Sequence, residues 1–164
     1  MPPRSECLLA GVRQHAFRFQ THGAEQPGAE ADAFAAFVSG RPVDMQWRRP
    51  WLAAIREAVE SGRRVQRVLV VDDPPTPHQY FELALAPHSV AVGEDLRLLD
   101  GRAARVLSLP AMDFWLLDDE RVVSDLADDI DDWAILEHLR RARDRALGAA
   151  LPYAEYIDIH PFPW

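Results

Sequence analysis

The sequence predicts a single α/β domain: a small mixed sheet with a C-terminal hairpin, flanked by about four helices. Three stretches carry that prediction. Arg64 to Asp72 contains the unbroken apolar run Val68–Val71, mostly β-branched, as expected of a central strand covered on both faces. A helix-patterned segment, Pro50 to Gly62, precedes it. Phe114 to Val123 reads as two short strands about a tight acidic turn. A chain of 164 residues and 18.5 kDa suits one domain rather than two. Its core is expected over about residues 15–156, with the ends, 1–12 and 157–164, peripheral.

Along the chain, His15 to Thr21 alternates apolar and polar residues and predicts a strand half-buried through Phe17 and Phe19. Glu30 to Val38 predicts a helix presenting Ala33, Phe34, Phe37 and Val38, stopped by Ser39–Gly40 and Pro42. Pro50 opens the next helix in the first turn, where a missing N–H costs nothing. Trp51, Leu52, Ile55, Ala58 and Val59 recur at helical spacing, and Gly62 closes it. Prolines 74, 75 and 77 stiffen the loop after Asp72. His78 to Ala86 predicts a helix ended by Pro87, and Leu96–Leu99 a further strand. Ala104 to Leu109 fits either a short helix or a strand. Asp125 to Asp132 reads as an acidic loop entering a long helix from Trp133 to Leu147, broken by Gly148 and Pro152.

Composition narrows the function classes. With 48% hydrophobic residues the chain can bury a core, which excludes a disordered polymer. The net charge is −8 and lysine is absent. Residues 111–164 hold five arginines against thirteen acids and carry the whole negative excess, whereas 41–67 hold seven arginines against three acids. Such polarity suits oriented docking on a charged partner, or two solvated faces of an ordinary domain. No apolar stretch is long enough for a signal peptide or a membrane span, so a cytoplasmic protein is expected. Cys7 is the single cysteine, which excludes an intrachain disulfide and a cysteine zinc cage.

Chemistry-bearing motifs are few. Histidines 15, 22, 78, 88, 138 and 160 form no HxH, HxxxH or HExxH pattern, and the acidic run lacks the glycine and closing glutamate of a calcium loop. No Walker loop, G-x-G-x-x-G or G-x-S-x-G occurs, so neither cofactor, metal nor catalytic residue is expected. Two segments stand out. In Gly93–Glu94–Asp95–Leu96–Arg97, a strand would place Asp95 and Arg97 on one face and Glu94 on the other. In Asp113–Phe114–Trp115–Leu116–Leu117–Asp118, carboxylates bracket a very apolar strand. A buried Arg97 needs an anionic partner, which Asp113 or Asp118 can supply across neighbouring strands. That pair either holds the fold or lines a ligand pocket walled by Trp115. His78 and His88, close in sequence to Glu82 and Glu94, are the one histidine pair that could act together; His78 is otherwise a loop or helix-cap residue.

The pieces Val65–Val71, Pro75–Thr76, Val92–Arg97 and Leu109–Asp118, in this order, resemble an actinobacterial family of unknown function whose members often sit beside small helix-turn-helix regulators. The resemblance runs from about Ala16 to Tyr156 and departs from the family pattern at His78, Tyr80 and Ser89. It implies no reaction and no catalytic residues. The order of elements is also distantly similar to a phospholipase-D-like half-domain. The HxK signature of that chemistry requires a lysine, so such a copy would be catalytically silent.

The leading expectation is therefore a non-enzymatic regulatory or interaction domain, associated with a transcriptional regulator. It would bind a small effector near Arg97, Asp113, Trp115, Glu94 and His78, or a basic DNA-binding protein through Asp128, Asp129, Asp131 and Asp132. One alternative is a small specialised-metabolism enzyme using His78, Glu94 and Arg97, which must then converge on one pocket. Another is nucleic-acid contact through Arg48, Arg49, Arg63, Arg64 and Arg67, disfavoured by the acidic net charge.

Overall fold

Strands β1 (His15–Gln20), β2 (Arg64–Val71) and β3 (Asp95–Asp100) run parallel at the centre of a six-stranded mixed sheet. Strand β4 (Phe114–Leu117) pairs antiparallel with β1, β5 (Arg121–Ser124) with β4, and the two-residue β6 (Leu151–Pro152) with β3. The order across the sheet is β5-β4-β1-β2-β3-β6. The computed structural model describes residues 3–21, 28–124, 130 and 132–162. Among them are seven α-helices, so the class is α/β as the sequence predicts, with more helices than expected.

Helices sandwich the sheet. On one face α5 (Gly101–Val106) and α6 (Trp133–Ala149) cover Phe17, Phe19, Val68, Val70, Leu99, Phe114 and Leu116. On the other, α1 (Pro3–Ala10) and α3 (Arg49–Glu60) cover Ala16, Val65, Trp115 and Leu117. Beside them α4 (Pro77–Ala91) and α7 (Tyr153–Ile159) cover Leu69, Val71, Leu96 and Leu98. Helix α2 (Ala29–Val38) packs outside α4 through Ala33, Phe34 and Phe37 against Phe81 and Leu85.

Several expectations are corrected. The N-terminal segment is not peripheral: α1 and its exit bury Leu9 and Val12 against Trp51 and Ile55. Part of the C-terminal tail also packs, with Ile157 and Phe162 against the cluster around Tyr156. Strand β1 is not half-exposed, because neighbours on both sides and helices on both faces enclose its alternating polar positions. Gly148 lies within α6 rather than ending it.

Pro87 does not end α4, which continues to Ala91. A proline at that position has no N–H for the carbonyl of Leu83. The Tyr153 hydroxyl stands 3.5 Å from that carbonyl, a long and weak substitute for the missing donor. The start of α4 is held more firmly. Thr76 and Gln79 form a reciprocal capping box, and the buried Gln79 amide also donates to Val70 O and the Asp72 carboxylate. The end of β2 thereby fixes the first turns of α4, which carry His78 and Glu82.

Candidate functional site

The expected partnership of Arg97 with Asp113 or Asp118 does not form. In the sheet order, β2 and β1 stand between β3 and β4, so Arg97 aligns with Val68 and Pro152 and cannot reach either aspartate. It pairs with Asp95, two residues away on its own strand, at 3.2 Å and partly open to solvent. Asp113 instead accepts from the backbone N–H and hydroxyl of Thr21 at 2.7 and 2.8 Å, tying the end of β1 to the start of β4. Asp118 accepts from the backbone N–H groups of Arg13, Gln14 and His15 at 2.9, 2.7 and 2.9 Å. Burial raises its pKa, but those donors outweigh burial and hold the carboxyl below its ordinary range. Both aspartates clamp the fold.

The buried arginine is Arg67, in the middle of β2. It is 3% exposed and faces α4. Its guanidinium donates to Glu82 at 3.3 Å, to Glu94 at 3.1 Å and to Gln20 at 3.2 Å. The Nε of Arg67 also stands 2.9 Å from Glu94 Oε1, off the line of a good hydrogen bond. Burial alone would depress the pKa of Arg67, yet Glu94 and Glu82 together hold it above its ordinary value. Burial likewise pushes Glu82 up, and Arg48, Arg67 and Arg18 reverse that and hold it low.

Two further guanidiniums enter the same layer. Arg18 is the register partner of both Arg67 and Trp115, and stacks over the Trp115 ring at 5.3 Å. Arg48, at the start of α3, is 2% exposed; it donates to Ser89 at 3.3 Å, and its Nε has no hydrogen-bond partner. Among the described residues, neither Arg18 nor Arg48 has a carboxylate within ion-pair distance. Burial depresses the pKa of both. Arg18 nevertheless keeps some accessible surface, although Phe17, Phe19, Arg67 and Trp115 around it are buried. Part of Arg18 therefore stays within reach of solvent.

His78 lies in the first turn of α4, packed against the rings of Phe34 and Phe81 at 5.3 and 6.0 Å. It joins Glu82, one helical turn later, and Glu30 of α2 in a group whose ligand-capable atoms all lie within 4.8 Å of one another. Of the effector set expected from sequence, His78, Glu94 and Trp115 therefore border one polar layer, linked through Glu82, Arg67 and Arg18. Arg97 lies on the opposite face of the sheet and Asp113 is engaged by Thr21. The enzyme set of His78, Glu94 and Arg97 is not assembled. On that opposite face a cavity of about 210 Å³ is lined by Thr21, Val70, Asp72, Ala104, Arg105 and Leu109.

Of the five arginines expected to contact nucleic acid, Arg48 and Arg67 are buried and Arg63 donates to the carbonyls of Leu9 and Val12, whereas Arg49 and Arg64 are exposed, as are Arg41 and Arg56 of the same segment. Of the acidic run, Asp132 is the N-cap of α6, accepting from Ala134 and Ile135 at 2.9 and 3.2 Å. Asp128, Asp129 and Asp131 lie outside the described residues.

From sequence, no site role falls to Arg18 or Glu82, and Arg48 and Arg67 are assigned to nucleic-acid contact rather than to this layer. The available signals were an arginine inside an apolar strand run, another between two phenylalanines, and a His-x-x-x-Glu spacing that sets both side chains on one helix face. A search of curated proteins finds no match to the chain. Residues 4–158 match the family model described as a domain of unknown function, DUF6879, and the chain belongs to that family.

Proposed function

We infer that this protein is a non-enzymatic regulatory domain that binds a small anionic effector against Arg18 and Arg48. The observation that carries this reading is the uneven pairing of the three inward guanidiniums. Arg67 engages both Glu82 and Glu94, while Arg18 and Arg48 have no carboxylate at ion-pair distance among the described residues. A charge taken out of water without a partner is costly, and a carboxylate or phosphate group seated between them would supply two charge-assisted hydrogen-bonding partners. Trp115 and Trp47, each stacked under one of these guanidiniums, would wall such a ligand.

The resemblance to an actinobacterial family encoded beside helix-turn-helix regulators supports a role in transcriptional control. The acidic final third supports a basic protein partner. Effector binding is tested by thermal shift and calorimetry with inorganic phosphate, sulfate and a panel of small carboxylates. Saturable binding that Arg18→Met and Arg48→Met each weaken at least tenfold supports the reading. Equal affinity in both folded variants overturns it. Partner docking is tested by co-purification at low salt with a neighbouring regulator. Capture that survives reversal of Asp128, Asp129, Asp131 and Asp132 removes the acidic surface from the account.

A further inference from the structure

We propose that Glu30, His78 and Glu82 form a site for one divalent first-row metal ion of the zinc class. This goes beyond the anion reading and does not rest on it. Two carboxylates and an imidazole from two helices converge, with their ligand-capable atoms within 4.8 Å of one another. Glu30 and Glu82 are buried, and His78 is marginally so at 9% exposure. The independent observation is at the imidazole. His78 Nδ1 is sealed from solvent and has no hydrogen-bond partner, in a ring that lies beside two carboxylates. A buried imidazole nitrogen paired with nothing is rare in a protein interior, and coordination to a cation satisfies it.

Local architecture holds the donors in place. His78 and Glu82 are four residues apart on α4 and so share one face of the helix. The capping box and the Gln79 contacts with Val70 and Asp72 fix that turn, and Phe34 and Phe81 pack the ring. Glu82 receives Arg67 on Oε2, which leaves Oε1 to face a metal while the guanidinium orients the carboxylate from behind. Tetrahedral zinc, with bonds of about 2.0–2.1 Å, sets its ligand atoms about 3.3–3.4 Å apart, inside the 4.8 Å within which these three groups lie.

The surrounding charge selects the ion. Arg18, Arg48 and Arg67 all act on Glu82, so a second cation meets repulsion that a weakly held one does not overcome. Magnesium and calcium prefer oxygen cages and gain little from an imidazole. Zinc gains from both donor types, and its fourth position is open to water or to an anion.

The test uses the full chain, stripped with a chelator and titrated with zinc chloride by calorimetry, with magnesium chloride in parallel. The expected result is one zinc per chain, a raised melting temperature, and no saturable magnesium binding. Glu30→Gln and His78→Gln should each weaken zinc at least tenfold, while Cys7→Ser and His88→Gln leave it unchanged. Circular dichroism confirms that each variant is folded; if His78→Gln is not, Glu30→Gln alone decides. Cobalt substitution should give the intense visible bands of a tetrahedral site. Absence of saturable zinc binding, or equal affinity in folded Glu30→Gln, overturns the proposal, as does binding lost on removing Cys7 or His88.

Discussion

Arg18 and Arg67 are register partners on adjacent parallel strands, so two guanidiniums rise side by side from the same face of the sheet. Like charges at opposed positions repel, and here they do so under a layer of helices. Glu82 and Glu94 contact Arg67 and give it an ion pair on either side. Arg18 has the indole of Trp115 instead. This asymmetry leads to contrasting expectations for the two arginines.

Replacing Arg18 by methionine should leave stability unchanged or raise it by about 1 kcal/mol, since a burdened cation is exchanged for an apolar chain of similar length. Urea denaturation measures this. A loss above about 2 kcal/mol would show that Arg18 serves the fold rather than a ligand.

Replacing Arg67 by methionine should cost about 3–5 kcal/mol, because Glu82 and Glu94 are then left buried without their cation. Adding Glu82→Gln and Glu94→Gln should restore much of that loss. If the triple variant is no more stable than Arg67→Met, the ion pairs are not what Arg67 contributes.

Acid should weaken the fold in a defined window. The Glu82 and Asp118 carboxyls sit below their unfolded values of 4.5 and 3.8, so the unfolded chain takes up protons first as pH falls. Their contribution is complete above those values and is lost as pH drops through the lower folded ones. His15 acts at higher pH: burial, then Arg64, lower it from 6.5, so its contribution is present above 6.5 and fades below. Stability measured from pH 8 to pH 3 should fall in two stages. Asp118→Asn should flatten the lower stage and His15→Gln the upper, and an unaltered profile in either would contradict the assignment.

Gly93 turns the chain from α4 into β3 with φ +104°, and a Cβ there would lie 2.8 Å from Val59 Cγ1 on α3. Gly93→Ala should cost about 1–3 kcal/mol through strain and overpacking together. Combining it with Val59→Ala should relieve the contact but not the backbone strain. A double-mutant cycle checks this, with a coupling of about 0.5 kcal/mol or more expected and none if α3 simply shifts.

Elements whose pattern is local were legible. The Val68–Val71 run, the apolar face of α3 and a hairpin turning at Asp119–Glu120 follow from period, capping and turn chemistry, and the turn itself begins one residue earlier, at Asp118. The turn residues Asp118 and Asp119 both take positive φ, which aspartate tolerates better than most residues. Pro87 predicts the end of α4 because it forbids one hydrogen bond, yet α4 continues to Ala91, with the Tyr153 hydroxyl 3.5 Å from the carbonyl left over.

The sequence by itself determined which stretches become strand or helix and supplied three arginines and their candidate acids, since propensity and hydrophobic period act over neighbouring residues. Which charges meet was decided by the tertiary structure alone. Strand order put β1 and β2 between Arg97 and the aspartates of β4, and enclosure of β1 on both sides turned Arg18 inward. Strand order and helix placement arise from burying apolar faces over the whole chain, and no local pattern encodes them.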